Sequence, residues 1–420
     1  MRDSPCSSPP LRCHGAGGYA ALEFLTARMD VKLILVRNLL LIVVLSTVVP
    51  AKLFGAGSSN ADIPHRDLWP DAVSSAAEFD RASRAEILAF AHELAASDAF
   101  SQAALKERLG VDSVDMPAVE RLRDRLWRIL SKNYAIAAAG CAARQAFCPV
   151  DSASTSFRHE AETFSDAWIA PRYAPWLTDA VRFHRTYLDG LLRLAAVFPQ
   201  RNSEVETFND NEMTGWQLND RQFLLSFDDG PTGGPAGPQA NADDTDRTLD
   251  MLRRNHLNAV FFAIGQSFQT RLRDSSIEAM KTLYSGMCVG SHGWVHTSHA
   301  ILPQWQASIA SSSQLIHDTL ADSYVPAFRP PYGQRPPDSG PYLRRRGLKL
   351  ILWNIDSLDW NDSLSADDVE QRVMSLMLLW RRGIILFHDL HPRARMVVPR
   401  LVSWLARDDI AWVDCHQVNW

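Results

Sequence analysis

Two rhythms divide the chain. From about Asp62 to Pro199, apolar residues recur at the i, i+3, i+4, i+7 spacing of amphipathic helices. Ile87, Phe90, Ala91 and Leu94 follow it, and Ser83 with Glu86 just ahead reads as a capping box, which predicts a helix start there. Val119, Leu122, Leu126 and Ile129 share a second face behind Pro117, a residue suited to a first helical turn. Val181, His184, Leu188, Leu191 and Leu192 mark a third helix over 176–197. A polar stretch, Arg201 to Asp220, closes this part.

The second rhythm is short apolar runs alternating with longer helical segments. The runs are 223–227, 259–264, 287–290, 327–329, 348–355, 383–387 and 410–413, with helical segments at 246–255, 302–321 and 366–382. Short runs bounded by Gly, Pro and Asp fit strands buried on both faces. Seven such strands joined by crossovers predict an α/β fold, a distorted (β/α)7-type barrel preceded by a helical N-terminal domain. The expected organisation is an extension with a signal over 1–57, a helical domain over 58–200 and a barrel domain over 201–420.

Residues 1–28 are rich in Ser, Pro and Gly and carry no period. From Met29 the pattern changes to Lys32 and Arg37, a mostly apolar run Leu39–Val49, and small residues near Ala51 and Ala56. That is the layout of a secretory signal, and the run is shorter than the roughly 20 residues of a comfortable span. Export is therefore expected, to a periplasmic, secreted or envelope-associated state. An uncleaved leader would tether the chain to the envelope. Removal of the leader takes Cys6 and Cys13 with it and leaves Cys141, Cys148, Cys288 and Cys415, which allow three pairings. Cys141 with Cys148 is the pairing expected from proximity.

Composition adds exclusions. With 420 residues, 46% of them hydrophobic and 22% charged, the chain is an ordinary globular one. A net charge of -5 without basic runs argues against a nucleic-acid partner.

The candidate chemistry lies where the strands end. The first strand runs into Ser226-Phe227-Asp228-Asp229-Gly230-Pro231, the third into Ser291-His292-Gly293-Trp294-Val295-His296, and the fourth into Arg329-Pro330-Pro331-Tyr332-Gly333. The fifth leads to Asp356-Ser357-Leu358-Asp359-Trp360 and the sixth to Leu386-Phe387-His388-Asp389. His292 and His296 reach one point if the backbone between them is helical. With one carboxylate, from Asp228 or Asp229, they would make a three-ligand site with a position left open. A metal there lowers the pKa of a water, and the other carboxylate can take its proton. His388 is a candidate acid, Asp359 a group that keeps it charged, and Arg329 a partner for the base carboxylate. Gly293 stands where a zincin would need Glu. His299 is read as a surface or supporting residue rather than a ligand.

At these residues the chain, over about Asp220 to Trp420, resembles the polysaccharide deacetylases of carbohydrate esterase family 4, which include chitin, chitooligosaccharide and peptidoglycan deacetylases. Ser226-Phe227-Asp228-Asp229-Gly230-Pro231 differs from the family's T-F-D-D-G-P by one residue. The resemblance implies a distorted (β/α) barrel and a hydrolase that removes N-acetyl groups from N-acetylglucosamine-type residues of a polysaccharide. It implies Asp228 as general base, Asp229, His292 and His296 as ligands of a divalent metal, usually Zn2+, and Arg329 as the group that orients Asp228. It further implies the Tyr332 backbone N–H as an oxyanion donor, His388 as general acid tuned by Asp359, and Trp360 and Leu386 lining the acetyl pocket. Two departures stand out. Gly293 replaces the usual Ser or Thr after the first ligand histidine, and 233–241 is a Gly/Pro/Ala-rich insertion beside the Asp pair. An O-acetyl esterase and a non-catalytic carbohydrate-binding protein on the same fold remain open alternatives.

Overall fold

A computed structural model describes residues 62–141, 145–149, 156–164, 170–199, 207–233, 241, 243–405 and 410–420. The leader, its signal and most of the 233–241 insertion lie outside these residues. No described helix is long and apolar enough to cross a membrane.

The helical segment consists of α1 (Ala76–Asp98), α2 (Gln102–Leu109), α3 (Met116–Ala138), α4 (Phe157–Glu162) and α5 (Ala174–Val197). Helix α1 begins earlier than the Ser83–Glu86 pair suggests. Phe79 and Ala82 are buried and already belong to its inner face. Its cap is Ser75, whose hydroxyl accepts from the N–H of Glu78, while the Glu78 carboxylate accepts from Ser74. The actual start, Ser75 to Glu78, has the same S-x-x-E spacing about two turns upstream. Ser83 sits inside the helix and donates to the Leu378 carbonyl at 2.7 Å. Glu86 is buried between Arg66, at 2.6 Å, and His184, at 2.6 Å. Asp115 caps α3, with Pro117 in its first turn. Cys141 and Cys148 form a disulfide after α3.

The remainder is a curled, all-parallel sheet wrapped by helices. Its strands are β1 (Glu212–Met213), β2 (Gln222–Asp228), β3 (Val260–Ala263), β4 (Cys288–Ser291), β5 (Tyr324–Phe328), β6 (Lys349–Ile351), β7 (Ile355–Asp356), β8 (Gly383–His388) and β9 (Ala411–Trp412). The spatial order is β1-β6-β5-β4-β3-β2-β8-β7, and β9 pairs with the start of β2. The crossovers are α6 (Asp244–Arg254), α7 (Gly265–Asp274) with α8 (Ile277–Tyr284), α9 (Trp305–Thr319), α10 (Ser339–Arg345), α11 (Ala366–Trp380) and α12 (Pro392–Trp404).

Two sequence expectations change here. Residues 348–355 do not form one strand. They split into β6, near one end of the sheet, and β7, at the other. From Ile351 to Ile355 the chain can reach only about 14 Å, so the two ends of the sheet must lie side by side. The sheet is thereby curled into a barrel by a covalent crossing at 352–354. Asn354 secures that crossing, accepting from Ile384 N–H and donating to the Arg382 carbonyl, each at 3.0 Å. The second change is β1, which lies within the polar stretch: Glu212 is buried there only because Arg335, equally buried, pairs with it at 2.5 Å.

Alternation along β2 sorts the core. Phe223, Leu225 and Phe227 join the cluster under the helices, while Leu224 faces the barrel interior with Val260, Phe262, Ile351, Ile384 and Leu386. The outer cluster continues without a break into the helical segment. Trp380 at the end of α11 meets Phe90, Tyr187 and Trp216, and Asn133 donates to its carbonyl at 3.1 Å. Asp80 of α1 binds Arg221 and Arg381 at 2.8 Å, which ties the helical segment to the entry of β2 and the end of α11.

A second disulfide, Cys288–Cys415, joins β4 to the chain end across 127 residues, against seven for Cys141–Cys148. In a chain-entropy view the longer loop constrains the unfolded state more. Cys415→Ser is expected to lower the unfolding free energy by about 2–5 kcal/mol and Cys148→Ser by less. Denaturant titration of the two variants under non-reducing conditions checks the order.

Candidate active site

The first constraint at the site is backbone. Asp228 is the last residue of β2, and its side chain shares the interior face with Leu224 and Ser226. Strict alternation would turn Asp229 outward. Its φ of 82°, uncommon for a residue other than Gly, breaks the alternation and leaves both carboxylates at one end of the barrel. The following turn is packed tightly: a Cβ on Gly230 would lie 1.9 Å from Asp389 Oδ2. Asp389 Oδ2 accepts from the Thr245 hydroxyl at 2.8 Å, and Thr245 and Thr232 exchange backbone-to-hydroxyl bonds.

Asp228 is 3% exposed and is paired with Arg329, which is fully buried. The guanidinium donates to Asp228 Oδ1 at 2.7 Å, Ser226 Oγ at 2.9 Å, and the carbonyls of Ile351 and Leu352 at 3.3 and 3.1 Å. Its carbon lies 4.2 Å from the centre of the Phe262 ring. Asp228 Oδ2 lies 3.8 Å from His292 Nε2.

His292 directly follows β4. Its Nδ1 lies 2.8 Å from the Arg329 carbonyl, which can only accept, so Nδ1 carries a proton and Nε2 is the nitrogen turned toward Asp229. His296 Nδ1 meets the Tyr332 hydroxyl at 3.2 Å. The backbone joining the two imidazoles is not helical, contrary to the simplest way of making residues four apart converge. Gly293, at φ +81°, turns the chain as it leaves β4, and bends carry it to His296.

His292 Nε2 and His296 Nε2 stand 3.4 and 3.3 Å from Asp229 Oδ1, a buried oxygen with no hydrogen-bond partner. This trio is one group whose donor atoms all lie within 4.8 Å of one another. Two donors about 2.0–2.1 Å from a tetrahedral zinc stand about 3.3 Å apart. The donor set, its spacing and the orphaned oxygen fit such an ion.

Across the strand pair, Asp228 and His388 sit at the same register of β2 and β8. Asp359 is fully buried and grips His388 twice, accepting from its backbone N–H at 2.9 Å and from Nδ1 at 2.8 Å. Burial disfavours the imidazolium, but the Asp359 charge and hydrogen bond, with help from Asp229 and Asp228, outweigh it and raise the pKa to about 10. Asp389 moves the other way for a carboxyl: burial and the Asp229 charge raise its pKa to about 8, despite the Thr245 hydrogen bond.

Asp228, Asp229, His292, His296, Arg329, Tyr332, Asp359 and His388 are thus gathered at the C-terminal ends of the strands. Leu386 lies on the interior face of β8, two residues before His388. Trp360 is half-buried and packs against the outer apolar cluster. Cys141 and Cys148 lie in the helical segment. Sequence reasoning passed over Asp389, although it directly follows His388, and Ser226, whose hydroxyl accepts from Arg329.

Comparison with known proteins bears on this arrangement. Residues 217–351 match the family model described as polysaccharide deacetylase. In its C-terminal half the chain is similar to the polysaccharide deacetylase family. The peptidoglycan-N-acetylglucosamine deacetylase PgdA of Listeria monocytogenes is 27% identical over 175 residues, covering 41% of this chain and 33% of that protein. Chitin deacetylase 1 of Saccharomyces cerevisiae is 28% identical over 205 residues, covering 46% of this chain and 61% of that protein. Among solved structures, a family 4 carbohydrate esterase from Streptomyces lividans in complex with acetate is 28% identical, covering 46% of this chain and 91% of that one, with a TM-score of 0.38. The chain therefore spans about a third to three fifths of the length of the two curated relatives.

The Asp359–His388 pair gives a pH prediction. A pKa raised from 6.5 to about 10 means the pair stabilises the fold fully below the unfolded value and loses that contribution as pH rises through about 10. Asp359→Asn removes the largest raising influence, so the His388 titration is expected to fall by at least about one pH unit. NMR titration of the His388 ring in the two proteins measures the shift.

Proposed function

We propose that this chain is a metal-dependent hydrolase that removes N-acetyl groups from N-acetylglucosamine-type residues of a polysaccharide. The observation that carries the reading is the division of the strand-end groups into three sets: an orphaned Asp229 oxygen facing two imidazoles, a carboxylate neutralised by Arg329, and an imidazolium held by Asp359. Likeness to proteins named peptidoglycan-N-acetylglucosamine deacetylase and chitin deacetylase supports the substrate class.

Asp229, His292 and His296 would hold the ion, with Zn2+ the best fit to two imidazoles and a carboxylate. Such an ion polarises the amide carbonyl and makes a neighbouring water more acidic. The chain's own groups then divide the proton traffic. Asp228 Oδ1 is committed to Arg329, which leaves Oδ2 to take the proton of the attacking water as its oxygen bonds to the carbonyl carbon. The backbone N–H of Tyr332 donates to the developing oxyanion. His388 gives its proton to the sugar nitrogen as the C–N bond breaks, so acetate and a free amino sugar leave. Trp360 and Leu386 are assigned to the acetyl methyl.

The state of His388 favours an amide over an ester. An amine is a poor leaving group until protonated, and an imidazolium that persists to high pH supplies that proton. Residues 201–420 contain all of these groups and are proposed as the catalytic domain, with 58–200 as a helical domain packed on α11. Two disulfides support an oxidising, exported setting.

Acetate release from N-acetylglucosamine oligomers and from peptidoglycan tests the reading. Activity is expected to vanish with a chelator, return with zinc, and fall about 10²–10⁴-fold in Asp228→Asn and in His388→Ala. Release that is indifferent to chelator, or unchanged in Asp228→Asn, overturns it. Faster release from acetylated xylan would favour the esterase.

A further inference from the structure

The ligand loop is held by an imidazole that the reaction does not use. His299 is 1% exposed, three residues beyond His296. The segment from Gly293 to Ser298 has neither helix nor strand to fix it. On one side it is tied to the start of α7, where Gly265 and Gln266 N–H donate to the Gly293 and Trp294 carbonyls at 2.8 and 2.9 Å. On the other side the ties are side chains. Trp294 N–H donates to Ser308 Oγ at 2.7 Å, Ser308 Oγ lies 3.1 Å from His299 Nε2, and His299 Nδ1 lies 3.0 Å from the Thr297 carbonyl.

The proton positions follow from the end of this chain. A carbonyl only accepts, so Nδ1 carries the hydrogen and Nε2 the lone pair; the Ser308 hydroxyl, already accepting from Trp294, donates to Nε2. Three hydrogen bonds thus join the backbone at 294 to the backbone at 297, the residues that bracket Val295 and His296, and anchor both to α9. Burial lowers the His299 pKa to about 4, in keeping with the neutral ring that this pattern needs. Gly293 is the other half of the arrangement. A Cβ there would stand 2.5 Å from His299 Cε1 and 2.8 Å from Nε2, at a φ of +81° that already disfavours a side chain. The space left empty at Gly293 is the space that the imidazole occupies.

We propose that His299 is a positioning residue for the ion site: clamped between Ser308 and Thr297, it sets the loop shape that brings His296 Nε2 to Asp229. It is not itself a ligand, because both ring nitrogens are engaged. The proposal rests on Asp229, His292 and His296 holding the ion.

The test is zinc affinity of the metal-stripped full chain, by competition with a chromophoric chelator, with the fold of each variant checked by circular dichroism. Wild type that binds no zinc, or His292→Ala that binds as well as wild type, overturns the underlying reading whatever His299 does. Given wild-type binding, His299→Leu keeps bulk, loses both hydrogen bonds, and is expected to bind zinc about 10–100-fold more weakly. His299→Gln keeps one donor and one acceptor and is expected to stay within about threefold of wild type. Ser308→Ala breaks the same chain from α9, is expected to weaken binding in the same direction, and serves in place of His299→Leu if that variant does not fold. Zinc affinity within about threefold of wild type in the folded Leu or Ala variant overturns the proposal, as does an equal loss in Leu and Gln.

Discussion

The Arg329 guanidinium is where the closure of the barrel and the placement of Asp228, the proposed base, coincide. It is fully buried, and a buried cation is tolerable only if its hydrogens are engaged and its charge is paired. Two of its contacts go to the carbonyls of Ile351 and Leu352, at the crossing that joins the two ends of the sheet. Two go to Ser226 and Asp228 on β2. The Arg329 carbonyl fixes the tautomer of His292. One residue therefore ties the sheet's closing segment to the proposed base, Asp228, and to a proposed imidazole ligand, His292. Breaking a buried pair of this kind costs about 3–5 kcal/mol, and here the loss would fall on the fold and the site together.

Charge balance then orders the remaining groups. Asp228 is neutralised by Arg329, and Asp359 by His388. Asp389, with no ion pair among the described residues, holds its proton to higher pH, its pKa raised to about 8 first by burial. Asp229 is left with an oxygen that accepts no hydrogen bond, and the two imidazoles turn toward it nitrogens of the kind a cation selects. The proposed divalent ion would pair this remainder, since burying an unpaired carboxylate is costly.

Much of this was legible along the chain because parallel strands punctuate it: where an apolar run stops, the next few residues must lie at the rim. Asp228, His292, Arg329, Asp359 and His388 could be picked out on that ground. The features that stayed hidden depended on partners distant in sequence. Glu212 reads as part of a polar linker, yet it is a strand residue because Arg335 meets it in the core. Residues 348–355 read as one strand because apolar character says nothing about which strand they pair with, and the pairing changes midway. Ser83 and Glu86 fit a cap by spacing alone, but their side chains are engaged by Leu378 and by Arg66 and His184. Cys288 with Cys415 is the pair left over once Cys141 joins Cys148, and it forms because β4 and the chain end are neighbours.

The helical segment bears on the same site indirectly. Helix α11 links β7 to β8, and so connects the strand before Asp359 with the strand that ends in His388. Its outer side is apolar: Trp380 is 2% exposed only because Phe90, Tyr187 and Trp216 surround it. A crossover helix with such a face needs a cover, and α1 with α5 provides one whose core is continuous with that of the barrel. Ser83 and Asn133 bond to carbonyls in the last turn of α11, where an α-helix leaves carbonyls unpaired. The crossover between β7 and β8 is therefore held from its far side as well, by a part of the chain that holds none of the proposed catalytic groups.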